Sequence, residues 1–238
     1  MRILEGAGVT KSFGGRKAVD NVDFDVEKGE ILGLIGPNGA GKTTLFNLIS
    51  GSIPLDSGTI TYEGTNISGL KPYSICHMGL GRTFQAATNF PDLTVCQNVR
   101  MGAVFGKKRI PEKKAEEITE RVLEFVGLSD SADKSMKDIT LACQKRVGVA
   151  RAMATRPKLL MLDEMMAGLN HTEVGEAMEL VTRIRDSGVT ILMIEHIMKA
   201  IMSTCDRILV LHHGQKIAEG TPAEISADPT VIEVYLGE

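Results

Sequence analysis

The sequence predicts an α/β fold in which a core of parallel strands and helices carries a β-rich N-terminal subdomain and an inserted α-helical subdomain. Three patterns in the 238 residues indicate this arrangement. Short alternating runs with glycine turns fill the N-terminal third, as in antiparallel strands. Apolar runs at 31–35 and 189–194 are typical of strands buried on both faces. A charged stretch at 107–121 carries apolar residues at helical spacing.

The pattern predicts one domain over 1–238 with an interrupted core. We expect the core at about 1–85 and 155–238, and the helical subdomain, with a signature region, at about 86–154. Within the first part, 22–26 and 58–62 alternate like strands. The helical subdomain is therefore predicted to interrupt the core in sequence.

Composition indicates which kinds of partner and which cellular compartment to expect. The formal net charge of −3 gives no general attraction to nucleic acid or anionic lipid, so we expect no nucleic-acid partner. The four cysteines show no C-x-x-C spacing, which favours reduced, cytoplasmic thiols over a zinc or disulfide scaffold. No apolar run is long enough to cross a bilayer, and the first six residues lack the apolar core of a signal peptide. We expect membrane association to come through a partner.

A phosphate-binding loop is predicted between the strand-like run 31–35 and a helical run after it. Residues 36–43 fill the pattern G-x-x-x-x-G-K-[ST]. Glycines let backbone N–H groups turn toward a phosphate, and the following helix adds the positive end of its dipole. Lys42 is expected to reach the β and γ phosphates and Thr43 to hold Mg²⁺. The alternative is an ordinary glycine-rich turn. The predicted nucleotide-binding residues are Gly36, Pro37, Asn38, Gly39, Ala40, Gly41, Lys42, Thr43 and Thr44.

Acidic residues follow a second apolar run, at 159–162. The carboxyl ends of parallel strands face the ligand crevice, so Asp163 and Glu164 are expected near the phosphates. Adjacent strand side chains point opposite ways, which predicts different roles: Asp163 for Mg²⁺ and Glu164 for polarising the attacking water. The run 189–194 leads to His196, which we expect at the same edge.

In this order the motifs resemble the ATP-binding cassette family, the nucleotide-binding subunits of ABC transporters, over essentially the whole chain. The resemblance implies a P-loop (RecA-like) ATPase core that uses ATP and Mg²⁺. It implies that Phe13 stacks on adenine and that Gln85 senses Mg²⁺ and the partner subunit. It also implies that 167–170 form the D-loop and that His196 contacts the γ-phosphate. Glu164, His196 and Gln85 are thus the expected catalytic residues, and Thr43, Gln85 and Asp163 the expected metal site.

One branch of the family shows further likeness. The segments that resemble the ATPases of branched-chain amino acid importers are 82–85, 90–95, 98–99, 167–170 and 231–238. Related importers of urea and short amides share much of this pattern. The resemblance implies a second ATP-binding subunit, identical or different, membrane-embedded permease subunits, and indirectly a substrate-binding protein. It implies a position at the cytoplasmic face of the membrane and a solute, a branched-chain or other hydrophobic amino acid, that is chosen by other subunits.

Two further classes of protein share the phosphate loop. A soluble cassette protein of translation, DNA repair or cluster assembly usually carries tandem cassettes, a coiled-coil insertion or a basic arm, and the sequence shows none of these. A P-loop kinase or GTPase lacks a Q-loop and a signature between its phosphate loop and its acidic strand.

For the permease, a groove near the Q-loop is expected, although apolar residues at this spacing are more often plain core. The candidates for lining it are Phe84, Phe90, Pro91, Leu93 and Val95.

The family signature, Leu-Ser-Gly-Gly-Gln, is altered at 139–143, which reads Ile-Thr-Leu-Ala-Cys. In the family this loop clamps the γ-phosphate bound by the other subunit. Thr140 keeps a hydroxyl, whereas Ala142 adds a Cβ where the backbone approaches phosphate. Either the clamp offered to the partner is weak, giving one strong and one weak site, or Thr140 and the helix dipole suffice. The sequence favours the second interpretation because the other catalytic motifs are present.

Overall fold

The computed structural model describes residues 1–83, 89–106 and 110–236. Residue 236 is described by its backbone alone. The N-terminal sheet is antiparallel, with strand order β2-β1-β4-β5. In the predicted runs 22–26 and 58–62 the buried side chains alternate, at 22, 24 and 26 and at 60 and 62. The strands of this sheet are β1 (Arg2–Phe13), β2 (Arg16–Glu27), β4 (Ser57–Tyr62) and β5 (Thr65–Asn66).

The larger sheet has six strands in the order β10-β9-β3-β8-β7-β6. It is parallel from β9 to β6, and β10 pairs antiparallel at one edge. These strands are β3 (Ile31–Ile35), β6 (Leu80–Arg82), β7 (Leu159–Asp163), β8 (Thr190–Ile194), β9 (Arg207–His212) and β10 (Gln215–Gly220). The predicted α/β fold is therefore confirmed.

Alternate residues of the central strands enter two separate apolar clusters. In β3, Ile31 and Ile35 point to one cluster, and Leu32 and Leu34 point to the other. The strands β7 and β8 divide their side chains in the same way. A strand with both faces covered needs apolar residues throughout, which explains why these runs lack polar alternation.

Nine α-helices lie in the described part of the chain. Helix α1 (Lys42–Ile49) follows β3, and α3 (Val95–Phe105), α4 (Glu112–Phe125) and α5 (Leu141–Ala154) form the helical segment. The remaining helices are α2 (Pro72–Met78), α6 (His171–Asp186), α7 (Met198–Thr204), α8 (Pro222–Ala227) and α9 (Pro229–Leu236). None of the helices in the described ranges is long and apolar enough to cross a membrane.

The helical segment shares its apolar core with one face of the larger sheet. Val99 of α3, Leu123 of α4 and Val147 of α5 belong to the same cluster as Ile31 and Leu160. One apolar cluster therefore includes both the helical segment and the sheet, and the division into subdomains stays a prediction. A capping box between Thr94 and Gln97 starts α3.

The crossing of α3 and α5 depends on one glycine. A Cβ on Gly102 would lie 2.0 Å from the carbonyl oxygen of Arg151, so the two helices approach at the backbone. Gly148, inside α5, has no atom within 4 Å of its Cβ position. The two helical glycines thus occupy opposite environments.

We expect Gly102→Ala to lower the free energy of unfolding by about 1–3 kcal/mol, because the helices must move apart. Gly148→Ala, the matched control, should raise it by about 0.5–1 kcal/mol, because alanine restricts the unfolded chain and favours helix. Urea denaturation of both variants measures these changes. A shift of the same sign in both would contradict the close approach of α3 and α5.

Candidate nucleotide site

The loop between β3 and α1 requires glycine at two positions. Gly36 has a φ of 147°, and a Cβ there would lie 2.0 Å from the carbonyl oxygen of Leu211. Gly41 has a φ of 104°, and a Cβ there would lie 2.2 Å from the carbonyl oxygen of Ala18. Both conformations are strained for other residues, and both sites lack room. The loop therefore packs against β2 and β9 just before α1 begins.

Backbone hydrogen bonds fasten this loop to its surroundings. The N–H of Gly214, in the turn between β9 and β10, donates to the carbonyl of Ala40 at 3.0 Å. The carbonyl of Gly214 accepts from the N–H of Asp20 in β2 at 2.8 Å. The turn thus joins β2 of the N-terminal sheet to the loop.

A cavity of about 470 Å³ opens over the loop. Residues 38–44 line it together with Glu164 and His196, so predicted residues from three segments meet there. Arg16, Lys17, Ala18 and His213 complete the lining. Positive side chains and backbone N–H groups at a helix start suit a phosphorylated ligand.

Lys42 lies in this cavity with its side chain folded along the loop. The residue is 6% exposed, and Nζ donates to the carbonyl oxygens of Gly36 at 2.6 Å and Pro37 at 3.0 Å. Burial lowers the pKa of Lys42, and the charge of nearby Glu164 acts in the opposite direction. The ammonium group is therefore held beside the loop and the catalytic acid predicted from the sequence.

Asp163 ends β7 in a buried position, with 2% of its surface exposed. Its backbone N–H donates to Oγ1 of Thr83 at 3.0 Å, and its Oδ2 accepts from Nη2 of Arg82 at 3.0 Å. Burial raises the pKa of Asp163, and the bond from Arg82 lowers it in part. The other oxygen, Oδ1, is buried without a hydrogen-bond partner among the described residues.

Glu164 turns away from the strand at the next position. Its φ of 49° is a left-handed conformation that costs a non-glycine residue about 1–2 kcal/mol. The turn is held by its N–H, which donates to the carbonyl of Ile194 at 2.9 Å. Its own carbonyl accepts from Nζ of Lys145 at 3.1 Å. Its carboxylate Oε1 lies 2.6 Å from Nε2 of His196. The two adjacent acids thus have different surroundings, which fits the separate roles predicted for them.

Glu195 is a residue of the site region that sequence reasoning missed. It is 3% exposed, and its Oε1 accepts from the N–H of Met166 at 2.8 Å. Burial raises the pKa of Glu195 to about 7, against the lowering effect of backbone hydrogen bonds from Met166 and His196. The carboxyl group therefore connects the segment after β8 to Met166, which directly precedes the predicted D-loop at 167–170. The sequence signal that could have identified Glu195 is an acidic residue directly after the apolar run 189–194.

A smaller cavity of about 200 Å³ adjoins the loop on the side of the C-terminal helix. It contains Gly36 and Pro37 of the loop, Glu195 and His196, and Tyr235 of α9. The tail that resembles branched-chain ATPases thus reaches the phosphate loop. Sequence reasoning noted the tail only as a resemblance, because nothing in it indicates where α9 packs.

Three predicted site residues that the structure describes, Phe13, Thr140 and Asp163, are not among the lining residues of either cavity. Phe13 is 52% exposed and does not line either cavity, and Nζ of Lys11 lies 5.6 Å from its ring centroid. Thr140 is the N-cap of α5, and its hydroxyl accepts from the N–H of Cys143 at 3.3 Å. Helix α5 therefore begins inside the altered signature. Gln85 lies outside the described residues, and its role stays a prediction.

The donor set fits magnesium. Mg²⁺ prefers oxygen ligands and is usually bound by one or two carboxylates together with substrate phosphates and waters. Thr43 supplies a hydroxyl in the cavity, and Asp163 supplies a buried oxygen that lacks a partner in the described part of the chain. A buried carboxylate oxygen left in this state indicates a position for a cation or for water bound to it.

Comparison with known proteins agrees with this geometry. The ABC transporter family profile matches residues 19–167, and the profile of the branched-chain amino acid ATP-binding cassette transporter matches 215–238. The high-affinity branched-chain amino acid transport ATP-binding protein BraF of Pseudomonas aeruginosa is 39% identical, covering 99% of this chain and 98% of that protein. Its counterpart LivG of Salmonella typhimurium is 40% identical over the same shares.

A solved structure has the same architecture. The crystal structure of the ADP conformation of an ATP-binding cassette of an ABC transporter superposes with a TM-score of 0.90 at 34% identity and covers 100% of both chains. The chain therefore belongs to the ABC transporter family and is one of its ATP-binding cassettes.

Proposed function

We propose that this chain hydrolyses MgATP to drive an ABC importer for branched-chain amino acids. The convergence of Lys42, Glu164 and His196 on one cavity over the phosphate loop carries the proposal. The relatives named for branched-chain amino acid transport support the solute class. Transport of leucine, isoleucine and valine, measured against urea and acetamide in the assembled complex, tests the solute. Preference for urea or acetamide would favour the related amide importers.

The positions of the side chains support a reaction of the following kind. The N–H groups at the start of α1 bind the phosphates, and Lys42 exchanges its carbonyl partners for β- and γ-phosphate oxygens. Glu164 accepts the proton of a water molecule that attacks the γ-phosphorus, and the bond to the bridging oxygen of ADP breaks. His196, 2.6 Å from Glu164, holds that carboxylate in place. When bound, Mg²⁺ neutralises charge on the β- and γ-phosphates.

Glu164→Gln should lower the ATP hydrolysis rate by about 10²–10⁴-fold, because the amide cannot take the proton. Affinity for ATP should stay within about twofold, since the loop and Lys42 are unchanged. Phosphate release and nucleotide binding, measured side by side, check this. Glu117→Gln, on the exposed side of α4, is the matched control. Equal rates in the two variants would contradict the catalytic role.

A second cassette and permease subunits are the proposed partners, with a substrate-binding protein acting indirectly and the cytoplasmic face of the membrane as the location. Support for the permease contact comes from an apolar cavity of about 510 Å³ between α2 and the helices α3 and α5 of the helical segment. Phe90 and Phe105 line it and are 44% and 65% exposed. Large exposed apolar surfaces often mark partner sites.

The residues that line this cavity differ from those that the sequence suggests for the permease groove. Of these, Phe90 lines the cavity, whereas Val95 is fully buried in the core at the start of α3. Pro91 and Leu93 are not among its lining residues, and Phe84 lies outside the described residues. Met101 and Phe105 of α3, together with Cys76 of α2, take their places because α3 turns its C-terminal half toward the groove.

Phe90→Ala should weaken binding to the permease subunits by about tenfold and reduce transport, because a buried aromatic contact is lost. Nucleotide affinity of the isolated chain should not change. Tyr73→Ala removes an aromatic residue that is 66% exposed but does not line the cavity, so it serves as the control. Unchanged permease affinity for Phe90→Ala would place the contact elsewhere.

The structure bears on the altered signature. Ala142 is 8% exposed, so its methyl group packs mainly within its own chain. Thr140 caps α5 by accepting from the N–H of Cys143, so the N–H groups of Leu141 and Ala142 are the ones at the helix start that this cap does not use. We propose that the partner's γ-phosphate is clamped by these N–H groups and the Thr140 hydroxyl, and that both ATP sites work.

Ala142→Gly should therefore raise the ATPase rate of the assembled transporter by less than about twofold, since the methyl group does not block the clamp. Steady-state ATP hydrolysis by the assembled complex measures this. Gly148→Ala, two turns further along the same helix, controls for changes in helix stability. A rise of tenfold or more would instead indicate that the native signature offers its partner a weak clamp.

A further inference from the structure

One guanidinium group joins the end of β6 to helix α1 and to β7. Nη1 of Arg82 donates to Oδ1 of Asn47 at 2.8 Å and to Oγ of Ser50 at 2.8 Å. Nη2 donates to Oδ2 of Asp163 at 3.0 Å. The guanidinium carbon lies 5.7 Å from the ring centroid of Phe46. The side chains of Arg82 and Asp163 are 7% and 1% exposed, so the pair is shielded from water.

The bond from Arg82 makes the two oxygens of Asp163 unequal. Oδ2 is engaged by the guanidinium, whereas the buried Oδ1 has no hydrogen-bond partner within the described ranges. A charge-assisted bond to a planar guanidinium restricts the direction of a carboxylate as well as stabilising it. Rotation that exchanged the two oxygens would break this bond. The orientation of Asp163 is therefore set by Arg82.

Arg82 is itself held at its other end. Asn47 and Ser50 accept from Nη1 where α1 ends, and the same helix begins at Lys42 in the phosphate loop. A lysine at position 82 could place one ammonium group at one end of this span, while the guanidinium fork reaches both. The geometry thus relates the direction of the Asp163 carboxylate to the position of the helix that carries Lys42 and Thr43.

We propose that Arg82 is a positioning residue for magnesium: by engaging Oδ2 of Asp163, it directs Oδ1 to the ion or to a water molecule bound to it. The inference rests on the proposed MgATP function of the site. Arg82 acts through Asp163 and is not a catalytic residue. Outer partners of metal-ligating carboxylates typically change metal affinity by about 10–100-fold when they are removed.

Binding of Mn²⁺ to the full chain with a non-hydrolysable ATP analogue tests this, because the electron paramagnetic resonance signal of free Mn²⁺ reports its affinity without turnover. We expect Arg82→Met to weaken Mn²⁺ binding by about 10–100-fold. Arg82→Lys, which keeps the charge, should weaken it by less than about tenfold. Analogue binding in EDTA should stay within about twofold in both variants, because the phosphate loop is intact.

Lys158→Met is the matched control. Lys158 forms an ion pair with Glu63 at 2.7 Å on a half-exposed surface, so its loss should leave Mn²⁺ affinity unchanged. Equal Mn²⁺ affinity in Arg82→Met and Lys158→Met would overturn the inference while leaving the MgATP function intact. Failure of the unsubstituted chain to bind Mn²⁺ with the analogue would instead overturn the proposed function, and the inference with it.

A folding defect in Arg82→Met would not leave the question open. Asn47→Ala removes one of the two bonds that hold Nη1 and keeps the guanidinium. We expect it to weaken Mn²⁺ binding by about threefold, since the direction of Asp163 is then less restricted. Unchanged Mn²⁺ affinity in a folded Asn47→Ala variant would contradict a positioning role for Arg82.

Discussion

The register of three parallel strands is the constraint on which the rest of the site depends. Leu34 of β3 pairs with Ile194 of β8, and Ile194 pairs with Asp163 of β7. The three strands therefore end in one row. The chain beyond each end supplies a different part of the site: the phosphate loop, Glu164, and His196. A shift of one residue in any pairing would exchange the two faces of that strand and separate these groups.

Strain in the backbone is concentrated where the strands end. Glu164 has a left-handed φ of 49°, and Gly36 and Gly41 have φ values of 147° and 104°. Such conformations persist only where the surrounding structure determines them. Here the carbonyls of Ile194, Leu211 and Ala18 supply that constraint, through a hydrogen bond to Glu164 and through contact with the glycines. The rigid parallel sheet thus holds the short turns that carry the chemistry.

The sequence predicts the parts of the site that follow from local pattern. The apolar runs correctly located β3, β7 and β8, and the glycine motif correctly preceded α1. Contacts between distant segments left no local trace. Arg82 and Asp163 meet because β6 pairs with β7, and no periodicity near either residue indicates that pairing. Val95 was a groove candidate because it is apolar, and burial at the start of α3 decided its environment.

Three acids follow neighbouring strands, and each is accommodated differently. Asp163 is paired with a guanidinium group, Glu164 lies beside an imidazole, and Glu195 accepts a backbone N–H. Burial opposes a charge on Asp163 and Glu195, because the low-dielectric interior favours the neutral form. Glu164 and His196 both line the cavity, and the side chain of His196 is the more exposed of the two.

The three carboxylates therefore lie in three different environments, from the interior to the cavity. Glu195 accepts the N–H of Met166, Asp163 accepts from Arg82, and Glu164 lines the cavity beside His196. The Thr140 end of α5 does not line the cavity of its own chain. The clamp that we propose for Thr140 would therefore act on the nucleotide bound by a second chain.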